Sequence, residues 1–316
     1  MLKLIGTLIN SILPIFILIF IGWGAVKYKL VGVEAKDVCS NLVAYFVFPA
    51  LLFMETAKAK PEQIIYPKWM LAFFLAISII WLLSVLFNRY VFKLPNKENV
   101  VSSFISTFPN EGGMGIPFLT HLIGLTAVVS VARANFIIAL TLIPLTIFLM
   151  EINKNQNNEM NKLHLFIKAL LKSIKKPMVL AVILGVIFSF MHITQLLPTV
   201  FTDSIELISK SCIFISLFAV GVNLYGIRFK ISKFLFFNLS LKSLISALVG
   251  FSLVYLFNIS GNDAKEFVLL LAMPTATIST IMALQWNTIE NEATSLYLTS
   301  TILSLLSLPL IVYIFQ

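Results

Sequence analysis

The segment from Ser103 to Leu119 reads Ser-Phe-Ile-Ser-Thr-Phe-Pro-Asn-Glu-Gly-Gly-Met-Gly-Ile-Pro-Phe-Leu, within an otherwise apolar stretch. Pro109 and Pro117 each remove a backbone donor and clash with the preceding turn, at ~3 kcal/mol in a helix interior, and Gly112, Gly113 and Gly115 add roughly 1 kcal/mol each. A continuous helix is not expected there. A weaker interruption is expected at Met273-Pro274-Thr275-Ala276-Thr277, where Thr275, Thr277, Ser279 and Thr280 can satisfy a broken ladder. Backbone freed from helical pairing in a bilayer must be met by protein or water, so both breaks belong inside a bundle or on a cavity. Two half-helix N-termini meeting at one spot, each carrying about half a positive charge, suit an anion. The candidate binding residues are therefore Pro109, Asn110, Gly112 and Gly113 on one break and Pro274, Thr275 and Thr277 on the other.

Glu111 sits awkwardly beside an anion site, because a carboxylate repels an anion. Acids within spans are costly and usually functional. Glu111 is either a proton- or cation-coupling group or a structural acid that holds the break, in a wet vestibule or paired with a cation such as Arg133. Arg133 itself offers a fork that could grip a carboxylate, or it marks the end of a span. Lys210 and Lys242 read as lysines that snorkel toward a membrane surface. Pro49 is expected to shape a wall, and His121, His164 and His192 to lie in loops or at interfaces. Cys39 and Cys212 lack redox or metal-ligand spacing and read as small packing residues. No metal or cofactor is expected.

The elements that must position these residues follow from composition. Of 316 residues, 59% are hydrophobic and 12% charged, with a mean hydropathy of +0.97, whereas soluble domains carry about a quarter charged residues. A crossing needs roughly 20 residues. Ten apolar stretches are expected, near 4–26, 38–54, 69–88, 100–120, 131–150, 177–195, 204–226, 234–257, 266–285 and 293–315. The longest polar segment, Glu151 to Lys176, is too short for a catalytic or nucleotide-binding head. The stretch 4–26 reads as a retained span rather than a removable leader. The absence of Gly-x-x-x-x-Gly-Lys-Ser/Thr, His-Glu-x-x-His, Gly-x-Gly-Asp and Asp-rich motifs argues against a pump or an intramembrane enzyme.

The net charge of +9 reports topology rather than nucleic-acid binding. Loops after odd-numbered stretches hold fifteen Lys and Arg residues; the other side, with both tails, holds five. Both termini are therefore expected outside, and the Asn-rich linker inside, the cytoplasmic membrane. Shifting the chain by 165 residues superposes Pro109 on Pro274 and Pro144 on Pro309. Because each half contains five stretches, a duplicated half enters the membrane in the opposite sense, the inverted repeat typical of secondary transporters.

Phe108 to Leu119 resembles the crossover segment of the auxin efflux carrier family, an Asn followed closely by Gly-Ile-Pro. Asn41 to Phe53, Lys176 to Gly185, Phe218 to Leu224, Ala272-Met273-Pro274 and Ser300-Thr301 to Pro309 resemble other parts of it. The resemblance implies an all-α polytopic membrane protein, ten helices in a 5+5 inverted repeat with broken, crossed helices 4 and 9. It implies a permease, not an enzyme, for organic carboxylate anions such as malate or malonate in bacterial members and auxin in plants. It also implies an elevator. The scaffold would comprise 1–56 and 177–226, the moving body 69–150 and 234–316, and the cytoplasmic linker 151–176, with a homodimer as a family-level expectation. Asn110 would bind the substrate carboxylate, with Thr275 as its counterpart. Glu111 departs from the uncharged residue of the plant exporters, and H+ or Na+ remains a candidate coupling ion. Bile-acid-type symporters and sodium–proton antiporters, which also cross broken helices, remain alternatives.

Overall fold

The computed structural model describes residues 2–32, 34–154, 162–193, 197–226, 231–276, 279, 282–283 and 286–315, and the described residues form helices and no strand. α1 (Leu2–Lys27) is an apolar rod. α2 (Ala35–Leu42) and α3 (Phe48–Lys58) are joined by a π turn at Val43–Val47. Pro49 lies just beyond that turn and cannot donate to it, which favours the wider spacing. The one-turn α4 (Pro61–Ile64) leads to α5 (Pro67–Tyr90), which starts with proline where a missing donor costs nothing.

The fourth stretch comprises α6 (Asn96–Thr107), a π turn at Glu111–Gly115 and α7 (Ile116–Leu122). The fifth is divided into α8 (Val128–Leu140) and α9 (Leu142–Lys154) at Thr141, three residues before Pro144. Beyond the linker come α10 (Lys162–Ile174), α11 (Pro177–Met191), α12 (Thr199–Lys210) and α13 (Cys212–Leu224). α14 (Lys233–Ser240) and α15 (Ser246–Leu256) flank a third π turn at Leu241–Ile245. α16 (Gly261–Ala272) and α17 (Glu290–Ile314) complete the described helices.

Among the described residues, six helical runs are long and apolar enough to cross a membrane: Asp37–Lys58, Pro61–Tyr90, Leu125–Asn153, Thr199–Leu224, Lys233–Leu256 and Glu290–Ile314. Phe16–Lys27 and Pro177–Met191 are shorter apolar helices. The stretches expected near 100–120 and 266–285 are interrupted. Exposed Leu, Ile and Phe side chains on most of these rods suit a lipid surround.

Two close helix pairs depend on missing side chains. A Cβ on Gly22 would lie 2.1 Å from the Phe218 carbonyl oxygen, and one on Gly221 would lie 1.9 Å from that of Ile19, so α1 and α13 touch backbone to backbone. A Cβ on Gly185 would lie 2.8 Å from that of Thr56, which sets α11 against α3. Buried polar groups add interhelical bonds. The Asn88 amide donates to Ser102 at 3.0 Å and to Ser103 at 3.3 Å, joining α5 to α6, and the Ser106 hydroxyl donates to the Asn238 side chain of α14.

Candidate functional site

The break in the fourth stretch begins as expected. Helical pairing stops at Thr107, Phe108 to Asn110 leave the helix, and the chain re-enters through the π turn at Glu111. The Asn110 carbonyl accepts from the amides of Met114 and Gly115 at 3.1 and 2.8 Å, which anchors the second half-helix. A Cβ on Gly113 would lie 2.5 Å from Asn110 Oδ1, so glycine leaves room for the amide to fold over the turn. A Cβ on Gly112 would lie 2.8 Å from the Phe48 ring and 3.2 Å from the Met178 methyl, so this face presses against α3 and α11.

α16 ends at Ala272, and Pro274 to Ala276 are non-helical. Here the two breaks meet. Pro109 and Thr275 pair as an isolated antiparallel bridge, and the Asn110 amide donates to the Pro274 carbonyl at 2.8 Å. Each interruption thus supplies part of the other's hydrogen bonding, as buried backbone in a membrane requires. Thr277 and Thr280 lie outside the described residues.

Thr275 is fully buried. Its amide donates to the Ser300 hydroxyl at 3.1 Å and its hydroxyl to the Ile105 carbonyl at 3.3 Å, so it fastens the crossing to α17 and α6. Pro109, Pro274 and Thr275 are not among the residues lining the adjoining cavity, whereas Ala276 is. Asn110, Glu111, Gly112 and Gly113 line it together with Phe48 and Asn135, in a space of about 210 Å³. Asn110 and Glu111 are each only 3% exposed, and Asn110 Nδ2 and Glu111 Oε2 have no hydrogen-bond partner among the described residues. Lys176, just ahead of α11, also lines this space.

Arg133 is elsewhere. Its guanidinium donates to Asp263 at 2.9 Å and to the Gln63 carbonyl, and stacks near Tyr66 and Trp69. It lines a separate space of about 440 Å³ with Asp263 and Glu266, whose carboxylate accepts from Ser130. It therefore does not pair with Glu111, the partnership considered from sequence. Among the described residues, the cations whose charges act on Glu111 are Lys242 and Lys176.

Lys242 corrects the snorkelling expectation. It is 1% exposed, in the π turn of the eighth stretch, and its Nζ donates to the carbonyls of Thr107 and Leu271 at 3.3 Å each. Those carbonyls belong to the C-terminal turns of α6 and α16, so one ammonium bridges both half-helices. A lysine flanked by serines and leucines carries no local signal of this; only the packed bundle reveals it. Lys210 does lie at the surface, paired with Glu206 at 3.1 Å.

A family model described as membrane transport protein matches residues 7–312. The chain belongs to this family, the auxin efflux carriers. It is 22% identical over 309 residues to the uncharacterized transporter YfdV of Escherichia coli (strain K12), covering 97% of each chain. It is 23% identical over 302 residues to the uncharacterized transporter MJ1031 of Methanocaldococcus jannaschii, covering 92% of this chain and 94% of that one. Auxin efflux carrier component 5 of Arabidopsis thaliana is 25% identical over 147 residues, 46% of this chain and 42% of its own. As a membrane transport protein the chain is a multi-pass membrane protein that moves a small molecule, and the interrupted helices described above are parts of a transporter.

Proposed function

We propose that this transporter carries a small organic carboxylate anion across the cytoplasmic membrane, and that it binds the anion where the two interrupted helices cross. The observation that carries the reading is Asn110 Nδ2, a buried donor without a partner among the described residues, on a residue that lines a cavity at the crossing. A buried donor without an acceptor is expensive, at roughly 1–3 kcal/mol, unless a ligand supplies the acceptor. The half-helix that starts at Glu111 adds its positive end, and Lys176 adds a full charge at the cavity wall. A space of about 210 Å³ is smaller than the roughly 300–1,000 Å³ of drug-sized sites, which favours a compact solute such as a short dicarboxylate. Asn110, Gly112 and Gly113 form the contact surface, while Pro109, Pro274 and Thr275 hold it in shape.

The architecture in this reading has ten crossings in a 5+5 inverted repeat, with both termini outside. The glycine-mediated pairs support it: exchanging the halves turns the contact of stretch 1 with 7 into that of 6 with 2, and both pairs are close. These four stretches form the scaffold. The remaining six, with their interlocked breaks, form the elevator body, which slides along a wall of Phe48 and Met178 past the side-chain-free Gly112. Ser40, Lys176 and Asn223 line the cavity from helix ends that adjoin the lysine-rich loops, so by the positive-inside rule the site faces the cytosol.

Glu111 favours a second element of the reading, that the carrier is ion-coupled. Its unpartnered Oε2 in the same cavity gives a coupling proton a place next to the substrate. Uptake of labelled dicarboxylate into proteoliposomes, with sodium and pH gradients imposed separately, tests both. Accumulation of the labelled acid supports the proposal; a protein that passes only protons or sodium is an antiporter, and the carboxylate assignment falls.

A further inference from the structure

In transporters with interrupted helices, the unwound carbonyls and half-helix C-termini are where a coupling cation is held, because each such end carries about half a negative charge. In this chain that position is filled. Lys242 Nζ reaches the carbonyl of Thr107, the last residue of α6, and that of Leu271, next to the last of α16, at 3.3 Å each. Among the described residues no carboxylate lies within ion-pair distance of it. Glu111 acts on it from beyond that distance, so its direct contacts are the two helix ends, whose halves sum to about one unit. The lysine enters through a π turn, whose Leu241 carbonyl accepts both the backbone amide of Ser246 and its hydroxyl, the latter at 2.8 Å. Such insertions are often found at functional sites.

We infer that the Lys242 ammonium is a built-in substitute for a bound metal cation at the crossing, so that this transporter neither binds nor requires sodium there. The inference deepens the ion-coupled reading above by removing sodium as its driving ion. Lys242 acts through the two half-helices and touches no substrate, so it is a positioning residue. With the ammonium in place, the two negative ends stay together while the body moves. Without it they repel, and a small cation from solution becomes the natural replacement.

The test reads ion binding rather than transport, so it stands apart from the identity of the substrate. The purified full chain is unfolded thermally in detergent with sodium, potassium or choline chloride at equal ionic strength, and saturable binding of radiolabelled sodium is measured alongside. Wild-type protein is expected to unfold at one temperature in all three salts and to bind no sodium saturably. Lys242→Arg keeps the charge and should behave likewise. Lys242→Ser should unfold several degrees lower in choline and regain part of that loss in sodium. A sodium-specific rise in the wild-type midpoint, or saturable sodium binding by wild type, overturns the inference even if the serine variant cannot be purified. A serine variant as stable as wild type in choline overturns it as well, because the two helix ends then need no cation.

Discussion

Asn110 and Gly113 act as one unit. The glycine keeps clear the volume that the amide occupies, since an added methyl would lie 2.5 Å from its oxygen. Asn110→Ala should weaken carboxylate binding by about 1.5–3 kcal/mol, the scale of a hydrogen bond to a charged partner, while the unfolding midpoint stays near wild type. Gly113→Ala should reproduce much of that loss by turning the amide aside, seen as a raised KM in proteoliposome uptake. Glu111→Gln should leave binding intact and abolish the pH dependence of uptake; unchanged dependence would remove Glu111 from coupling. The sequence made this cluster legible because proline, glycines and an amide coincide in a lipophilic stretch, a pattern with few other physical uses. Thr275 was harder to read. Its position at the offset of 165 from Asn110 marks it as an equivalent, yet both its polar atoms are consumed by Ser300 and Ile105, and no one-dimensional pattern distinguishes a hydroxyl facing a ligand from one facing a neighbouring helix.

Among the elements, uninterrupted rods are legible to within a few residues because a lipid-facing helix declares itself by continuous apolarity: the expected 69–88 is the core of the helix Pro67–Tyr90, and 293–315 nearly matches Glu290–Ile314. What periodicity could not reveal were the local defects, the π turns at Val43–Val47 and Leu241–Ile245 and the division at Thr141. Such defects answer to neighbours rather than to composition. Contact between α1 and α13 provides a stability test at this scale. Gly221→Ala places a methyl 1.9 Å from the Ile19 carbonyl oxygen, against rigid backbone, and should lower stability by about 1–3 kcal/mol, measured as a drop in unfolding midpoint. Gly24→Ala, whose added methyl meets nothing nearer than 3.9 Å, serves as the near-neutral control.

At the scale of the whole molecule, an elevator requires the body carrying Gly112 to move past the wall carrying Met178. Met178→Ala, which removes the methyl that a Cβ on Gly112 would meet at 3.2 Å, should loosen that wall and change the rate of uptake with little effect on binding; an unchanged rate would show that the two bodies do not slide there. Charge bias and the five-plus-five division pointed from sequence toward an outward pair of termini and a doubled architecture, but the ion bridge from Lys242 to two half-helices joins three distant segments and could emerge only from packing. The hydrogen bond from the Asn110 amide to the Pro274 carbonyl has a consequence for biogenesis. Its donor leaves the ribosome more than half a chain ahead of its acceptor, and at about 5–20 residues per second the wait is on the order of ten seconds. Throughout that interval the first gap must be shielded by the translocon, a membrane chaperone or trapped water, so the nascent N-terminal portion is expected to be a client for quality-control proteolysis until the second break arrives.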